Sequence, residues 1–185
     1  MLKIKDVVQL DTKGEFRSDV QLSDFDTPPL NLSLLHSYIF SVSVPNSFGE
    51  RTQSIAGLGL LDELRKAFTY DRFENRLVAI ANYGHGKSHL ALVLANYFSK
   101  PADSPEVQTI FERIDHALSD PAKAQGYRDF KLDRKEFLVL RLRGDDPRPL
   151  REQFFRALRQ ALSEHEATRG VELPFWVNQA KQHLE

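Results

Sequence analysis

Apolar residues recur at helical spacing in four segments of the chain. These segments are residues 55–68, 87–98, 105–118 and 149–163. Ser104 and Pro105 are typical of the N-cap and first residue of a helix, and Asp146 and Pro147 predict the start of the last one. The spacing in that last segment predicts a buried stripe formed by Leu150, Phe154, Phe155, Leu158 and Leu162.

Two short apolar runs, residues 77–80 and 137–142, predict buried core strands, and the polar residues 121–134 are interpreted as a connector. The order strand, loop, helix, strand, helix is typical of a nucleotide-binding α/β domain. We therefore expect a partial P-loop NTPase fold, a parallel sheet flanked by helices. Residues 1–50 form a small β-rich N-terminal segment in this interpretation, and residues 51–185 the N-terminal part of the NTPase domain.

The first of these runs leads into the sequence A-N-Y-G-H-G-K-S at residues 81–88, which indicates a phosphate-binding loop. Gly84 and Gly86 allow the backbone to turn its N–H groups toward phosphate oxygens. Lys87 is expected near the β- and γ-phosphates of ATP, and the hydroxyl of Ser88 on Mg²⁺. The candidate cofactor-binding residues are Asn82, Tyr83, Gly84, His85, Gly86, Lys87, Ser88 and His89.

Some positions of this loop have simpler interpretations. Ala81 stands where the first glycine of the pattern is usual, and the whole stretch could be an ordinary glycine-containing turn with Lys87 in solvent. His85 either contacts phosphate or is solvated, and the solvated state is favoured. His89 either supports the Mg²⁺ site or packs against the adjoining loop.

Hydrolysis normally needs an acidic residue at the end of an apolar strand. The local candidates are Asp145 and Asp146, but helix capping explains them more simply than metal binding. Whether the chain is an ATPase is therefore left open, and the catalytic residues are not identified. We expect it to be a fragment of a longer ATPase whose acidic motif lies beyond Glu185.

Composition narrows the class of protein. The 185 residues include 41% hydrophobic and 28% charged side chains, with no cysteine and a net charge of -1. No apolar run is long enough for a membrane span or a secretory signal, so a cytoplasmic protein is expected. The charge predicts no bulk attraction to nucleic acid.

The run from Gly84 to His89, followed by an apolar helix, resembles the large P-loop ATPases of bacterial phage-defence systems of the BREX and Pgl type. The opening residues 4–8 and the stretch 138–155 are similar to that group as well. The resemblance implies an ATP- and Mg²⁺-dependent module of a multi-component complex, with other protein subunits as partners and DNA contact through the full-length complex.

Three alternatives remain open at this point. The stretch Lys87 to Ala91 is also similar to the AAA+ helicase loaders, although their loop usually begins with glycine and carries proline. A protein-binding module with a vestigial loop is the second, and a nucleotide kinase the third. ATP and GTP are not distinguished, since no N-K-x-D-like guanine reader is visible.

Overall fold

The computed structural model describes residues 20–40, 42–45, 51–54, 56–70, 76–78, 80, 86–134, 136–165 and 168. This part of the chain is mainly helical. Its elements in order are a short 3₁₀ helix (Leu22–Asp26), α1 (Pro28–Ser37), β1 (Val42–Pro45), β2 (Arg51–Ser54), α2 (Ala56–Thr69), α3 (Lys87–Ser99), α4 (Pro105–Ala117), α5 (Pro121–Asp133) and α6 (Leu150–Glu164). None of the helices in these ranges is long and apolar enough to cross a bilayer.

The predicted parallel sheet is wrong. The sheet found in the described ranges is a single antiparallel pair, β1 with β2, in which Val42 lies opposite Ser54. Leu77, Val78 and Ile80, the expected first core strand, are not in a strand and are 38%, 82% and 91% exposed. A run of four apolar residues carries no period that separates a strand from other structure, and none of its three described residues is buried.

The second expected strand, residues 137–142, is extended but belongs to no sheet. The Phe137 N–H donates to the carbonyl of Phe98 at 2.9 Å, and the Phe137 ring packs against those of Phe98 and Phe130. Leu138 and Leu142 on the alternate positions are exposed. The apolar alternation therefore reflects one extended segment lying on helices, with no neighbouring strand in the described ranges.

The residues at the start of two helices explain where they begin. The Ser104 hydroxyl accepts a hydrogen bond from the Val107 N–H, and Pro105 occupies the first turn of α4, which confirms the predicted start. The interpretation of 121–134 as a connector is wrong, because this segment forms α5. The Asp120 carboxylate accepts from two N–H groups of its first turn, and Pro121 follows. Acid followed by proline is the same start signal as Ser104 and Pro105.

The core is built around α3. Its residues Tyr97 and Val93 are almost fully buried, and the Tyr97 hydroxyl donates to the carbonyl of Tyr127 on α5 at 2.8 Å. Around it lie apolar side chains from α1, α2, α4 and α5: Leu35, Leu58, Leu61, Val107, Ile110, Phe111, Ile114, Ala124 and Phe130. Helix-on-helix packing thus takes the place of the expected sheet.

Helix α6 lies on the outside. The predicted buried stripe is wrong, because no residue of α6 is buried and Leu150 and Phe154 are 68% and 40% exposed. Its polar contacts include a 3.5 Å ion pair between Arg141 and Glu164, and the ring of its C-cap, His165, lies 3.0 Å from the Glu136 carbonyl oxygen. The amphipathic pattern predicted the helix, but it did not predict whether the apolar face would be buried.

Asn31 on α1 and Asn96 on α3 form a reciprocal pair inside the core. Both side chains are fully buried. Each amide donates to the oxygen of the other, at 2.8 and 2.9 Å, and Asn96 also donates to the Leu92 carbonyl. Because two donors and two acceptors meet in one geometry, the pair sets the register of α1 against α3.

We expect Asn31→Ala to lower the free energy of unfolding by about 2–3 kcal/mol, because it leaves the buried amide of Asn96 without its partner. Urea unfolding measures the change. The exposed Ser33 on the same helix supplies the control, since Ser33→Ala should alter stability by no more than about 0.5 kcal/mol. If both variants unfold alike, the amide pair does not hold the two helices together.

Candidate functional site

Gly86 shapes the N-terminus of α3. It is the N-cap, with φ 72° and ψ 17°, the left-handed region that glycine enters without steric strain. A Cβ added here would meet no atom within 4 Å, so the requirement for glycine comes from the backbone and not from crowding. The Gly86 carbonyl accepts from the Leu90 N–H at 2.8 Å and closes the first helical turn.

Lys87 and Ser88 lie in that first turn, and both are exposed. The first N–H groups of a helix have no acceptor inside the helix, and the helix dipole places about half a positive charge there. A glycine N-cap brings no side chain to these donors, whereas α4 and α5 cap theirs with Ser104 and Asp120. The N-terminus of α3 therefore offers backbone donors, an ammonium and a hydroxyl to an anion.

His89 connects this turn to α1. Its Nε2 donates to the Leu34 carbonyl at 2.7 Å, since a carbonyl can only accept, and its ring lies edge-on to Tyr38 with centroids 4.8 Å apart. Burial lowers the pKa of His89, and the hydrogen bond to Leu34 only partly opposes that effect. The structure places His89 against α1 and Tyr38, and its support of a Mg²⁺ site stays a prediction.

The other candidate residues, Asn82, Tyr83, Gly84 and His85, lie outside the described residues. Their contact with phosphate stays a prediction. The structure thus describes the second half of the candidate loop, Gly86 to His89.

Asp145 and Asp146 do not form a metal site. Asp145 is held by Arg143 at 2.6 Å. Asp146 accepts from the backbone N–H and the guanidinium of Arg148, and these hydrogen bonds lower its pKa to about 2. Asp146 does not cap α6 either, because the N-cap is Pro149. Within the described ranges, no three His, Cys, Asp or Glu side chains come together as a metal site would require.

The sequence also left a group of arginines unassigned. Six arginines occur between residues 141 and 159, and five of them line one groove. Because they are scattered between other residues, they form no run of basic positions. Their density in this stretch was the available signal, but the arrangement depends on the fold.

We expect His89 to make the protein less stable in acid. In the unfolded chain its pKa returns to about 6.5, so below that pH the unfolded state binds a proton that the folded state resists, and folding weakens as the pH falls from 7 toward 5. Urea unfolding across this range should show a smaller loss for His89→Gln. His36→Gln, at an exposed position on α1, is the control and should keep the wild-type pH dependence. An unchanged slope in His89→Gln would contradict the assignment.

Comparisons of the chain with protein-family models, with curated proteins and with solved structures found no match.

Proposed function

We propose that this chain binds the phosphates of a nucleoside triphosphate, ATP with Mg²⁺, at the N-terminus of α3. The observation that carries the proposal is Gly86 in the left-handed conformation at the N-cap, followed by exposed Lys87 and Ser88 in the first turn. This is the order Gly-Lys-Ser that phosphate loops use. The proposal concerns the loop and its helix and does not rest on a parallel sheet.

The groups present suit a triphosphate. The Lys87 ammonium is a compact positive charge that suits the terminal phosphates, and the first-turn N–H groups suit phosphate oxygens. Ser88 supplies one oxygen, so Mg²⁺ would take its remaining ligands from phosphate and water, as it commonly does. When bound, the metal neutralises phosphate charge.

The wider setting belongs to the same proposal. The resemblance to phage-defence ATPases supports a cytoplasmic, ATP-binding module that works with other protein subunits and contacts DNA through the full-length protein. The two candidates for a role in hydrolysis, Asp145 and Asp146, are each engaged by an arginine. Binding is the part of the function that the described residues support.

A protein-binding module is the second candidate, and one observation favours it. Leu150 and Phe154 on α6 expose apolar surface, 68% and 40% of each residue. Two results together would favour this function over nucleotide binding. The chain would bind no nucleotide, and a partner protein would bind to α6 in the wild type but not in Phe154→Ser.

We expect Lys87→Ala to weaken ATP–Mg²⁺ binding by about 10- to 100-fold, because a charge-assisted contact of about 1–3 kcal/mol is removed. Isothermal titration calorimetry measures the affinity. Lys123→Ala is the matched control, since Lys123 is an exposed lysine on α5. Equal affinity of the wild type and Lys87→Ala would exclude the proposed site.

A further inference from the structure

A polar groove of about 970 Å³ lies between α6, the segment 139–148 that precedes it and the 3₁₀ helix. Its charged lining is mostly basic. Two carboxylates, Asp26 and Asp146, face five guanidinium groups, which belong to Arg141, Arg143, Arg148, Arg156 and Arg159. Gln153, Gln160 and Ser163 add neutral hydrogen-bonding groups. Glu164, Asp145 and Glu152 lie outside this lining and also pair with groove arginines, so the groove concentrates guanidinium groups and not net positive charge.

Arg141 is a groove residue whose guanidinium is held in one orientation. Its side chain is only 14% exposed, its guanidinium lies 3.9 Å from the centre of the Phe25 ring, and it pairs with Asp26 at 2.8 Å. Stacking on a ring and pairing with a carboxylate hold a planar guanidinium in one orientation. An incoming anion would therefore meet a positive group already in place.

The other arginines can exchange their present partners. Arg143 and Arg148 pair with carboxylates two residues away, and Arg156 pairs with Glu152 one turn away. The three arginine side chains are at least 43% exposed, whereas those of Asp146 and Glu152 are 13% and 29% exposed. Ion pairs at exposed side chains contribute about 0–1 kcal/mol, so a phosphate can compete for Arg156. The Arg148 pair is firmer, because its guanidinium contacts both oxygens of the little-exposed Asp146 carboxylate. Arg159 makes no ion pair or hydrogen bond within the described part of the chain.

The groove is separate from the candidate triphosphate site. Lys100, the C-cap of α3, lies 5.1 Å from the Phe25 ring on which Arg141 stacks, so the groove adjoins the C-terminal end of α3. Lys87 begins the same helix. The 13 residues of α3 place the two ends about 18 Å apart at 1.5 Å per residue.

We propose that this groove binds closely spaced phosphates, carried by a free oligophosphate or by the backbone of a nucleic-acid strand. Guanidinium groups match phosphate oxygens in pairs, which suits a site with five of them. None of the described lining residues is aromatic, so bases would gain no stacking and the contacts would go to phosphate alone. Both sources share this chemistry, and the probes below distinguish them.

The experiment measures two probes, inorganic tripolyphosphate by calorimetry and a fluorescent 12-nucleotide homothymidine strand by anisotropy. All proteins carry Lys87→Ala, so that binding at the N-terminus of α3 does not contribute. We expect Arg156→Ala with Arg159→Ala to weaken binding by about 10- to 100-fold. For the homothymidine strand, the slope of log K against log salt concentration should also become shallower by about 1.4, because each lost phosphate contact accounts for about 0.7.

Arg151→Ala is the matched control, since Arg151 is an exposed arginine on α6 outside the groove. It should bind like the Lys87→Ala parent. Groove-dependent binding of tripolyphosphate alone identifies a small anion as the ligand, and groove-dependent binding of the strand identifies a nucleic-acid backbone. The proposal is overturned if neither probe binds, or if the double variant binds both as well as the Arg151→Ala control. Because the Lys87 test uses ATP and a different variant, either proposal can fail alone.

Discussion

The structure depends on the buried amide pair between Asn31 and Asn96. Two fully buried side chains can satisfy each other only at one register, so a slip of α1 along α3 would leave polar groups unpaired in an apolar core. Leu34 follows Asn31 by nearly one turn, and His89 precedes Asn96 by two. The register set by the amides therefore also brings the His89 ring to the Leu34 carbonyl, which ties down the first turn of α3.

The two ends of α3 differ in how their backbone groups are used. At the C-terminal end the Phe98 carbonyl accepts from the Phe137 N–H at 2.9 Å and faces the buried Lys131 ammonium at 3.4 Å, and burial lowers the pKa of Lys131 to about 8. This end is thus closed by the chain itself. At the N-terminal end the glycine cap leaves the first turn facing solvent, with Lys87 and Ser88 exposed. The same helix is packed by the chain at its C-terminal end and exposed at the N-terminal end, where the triphosphate site is proposed.

Local signals in the sequence predicted α2, α3, α4 and α6 but missed α1, which was placed in a β-rich segment, and α5, which was interpreted as a connector. Ser104 with Pro105 located the start of α4. Asp120 with Pro121 is the equivalent signal for α5, but the polar composition of residues 121–134 indicated a connector instead. Long-range features could not be read in this way. Whether residues 77–80 pair with another strand depends on distant residues, and so does the burial of α6. The glycine and lysine of the candidate site follow from a short motif, whereas the arginine groove joins residues more than 130 positions apart, such as Asp26 and Gln160.

Asp145 and Asp146, the two candidate catalytic carboxylates, are poorly suited to act as a general base in hydrolysis. A general base works best with a pKa near the working pH, because it must both hold and release a proton. The Arg148 guanidinium and backbone N–H keep the pKa of Asp146 at about 2, and Arg143 lowers that of Asp145. These acids stay ionised and engaged, so they make weak bases. They provide partners for Arg143 and Arg148, and a phosphate in the proposed groove site would have to replace these carboxylates.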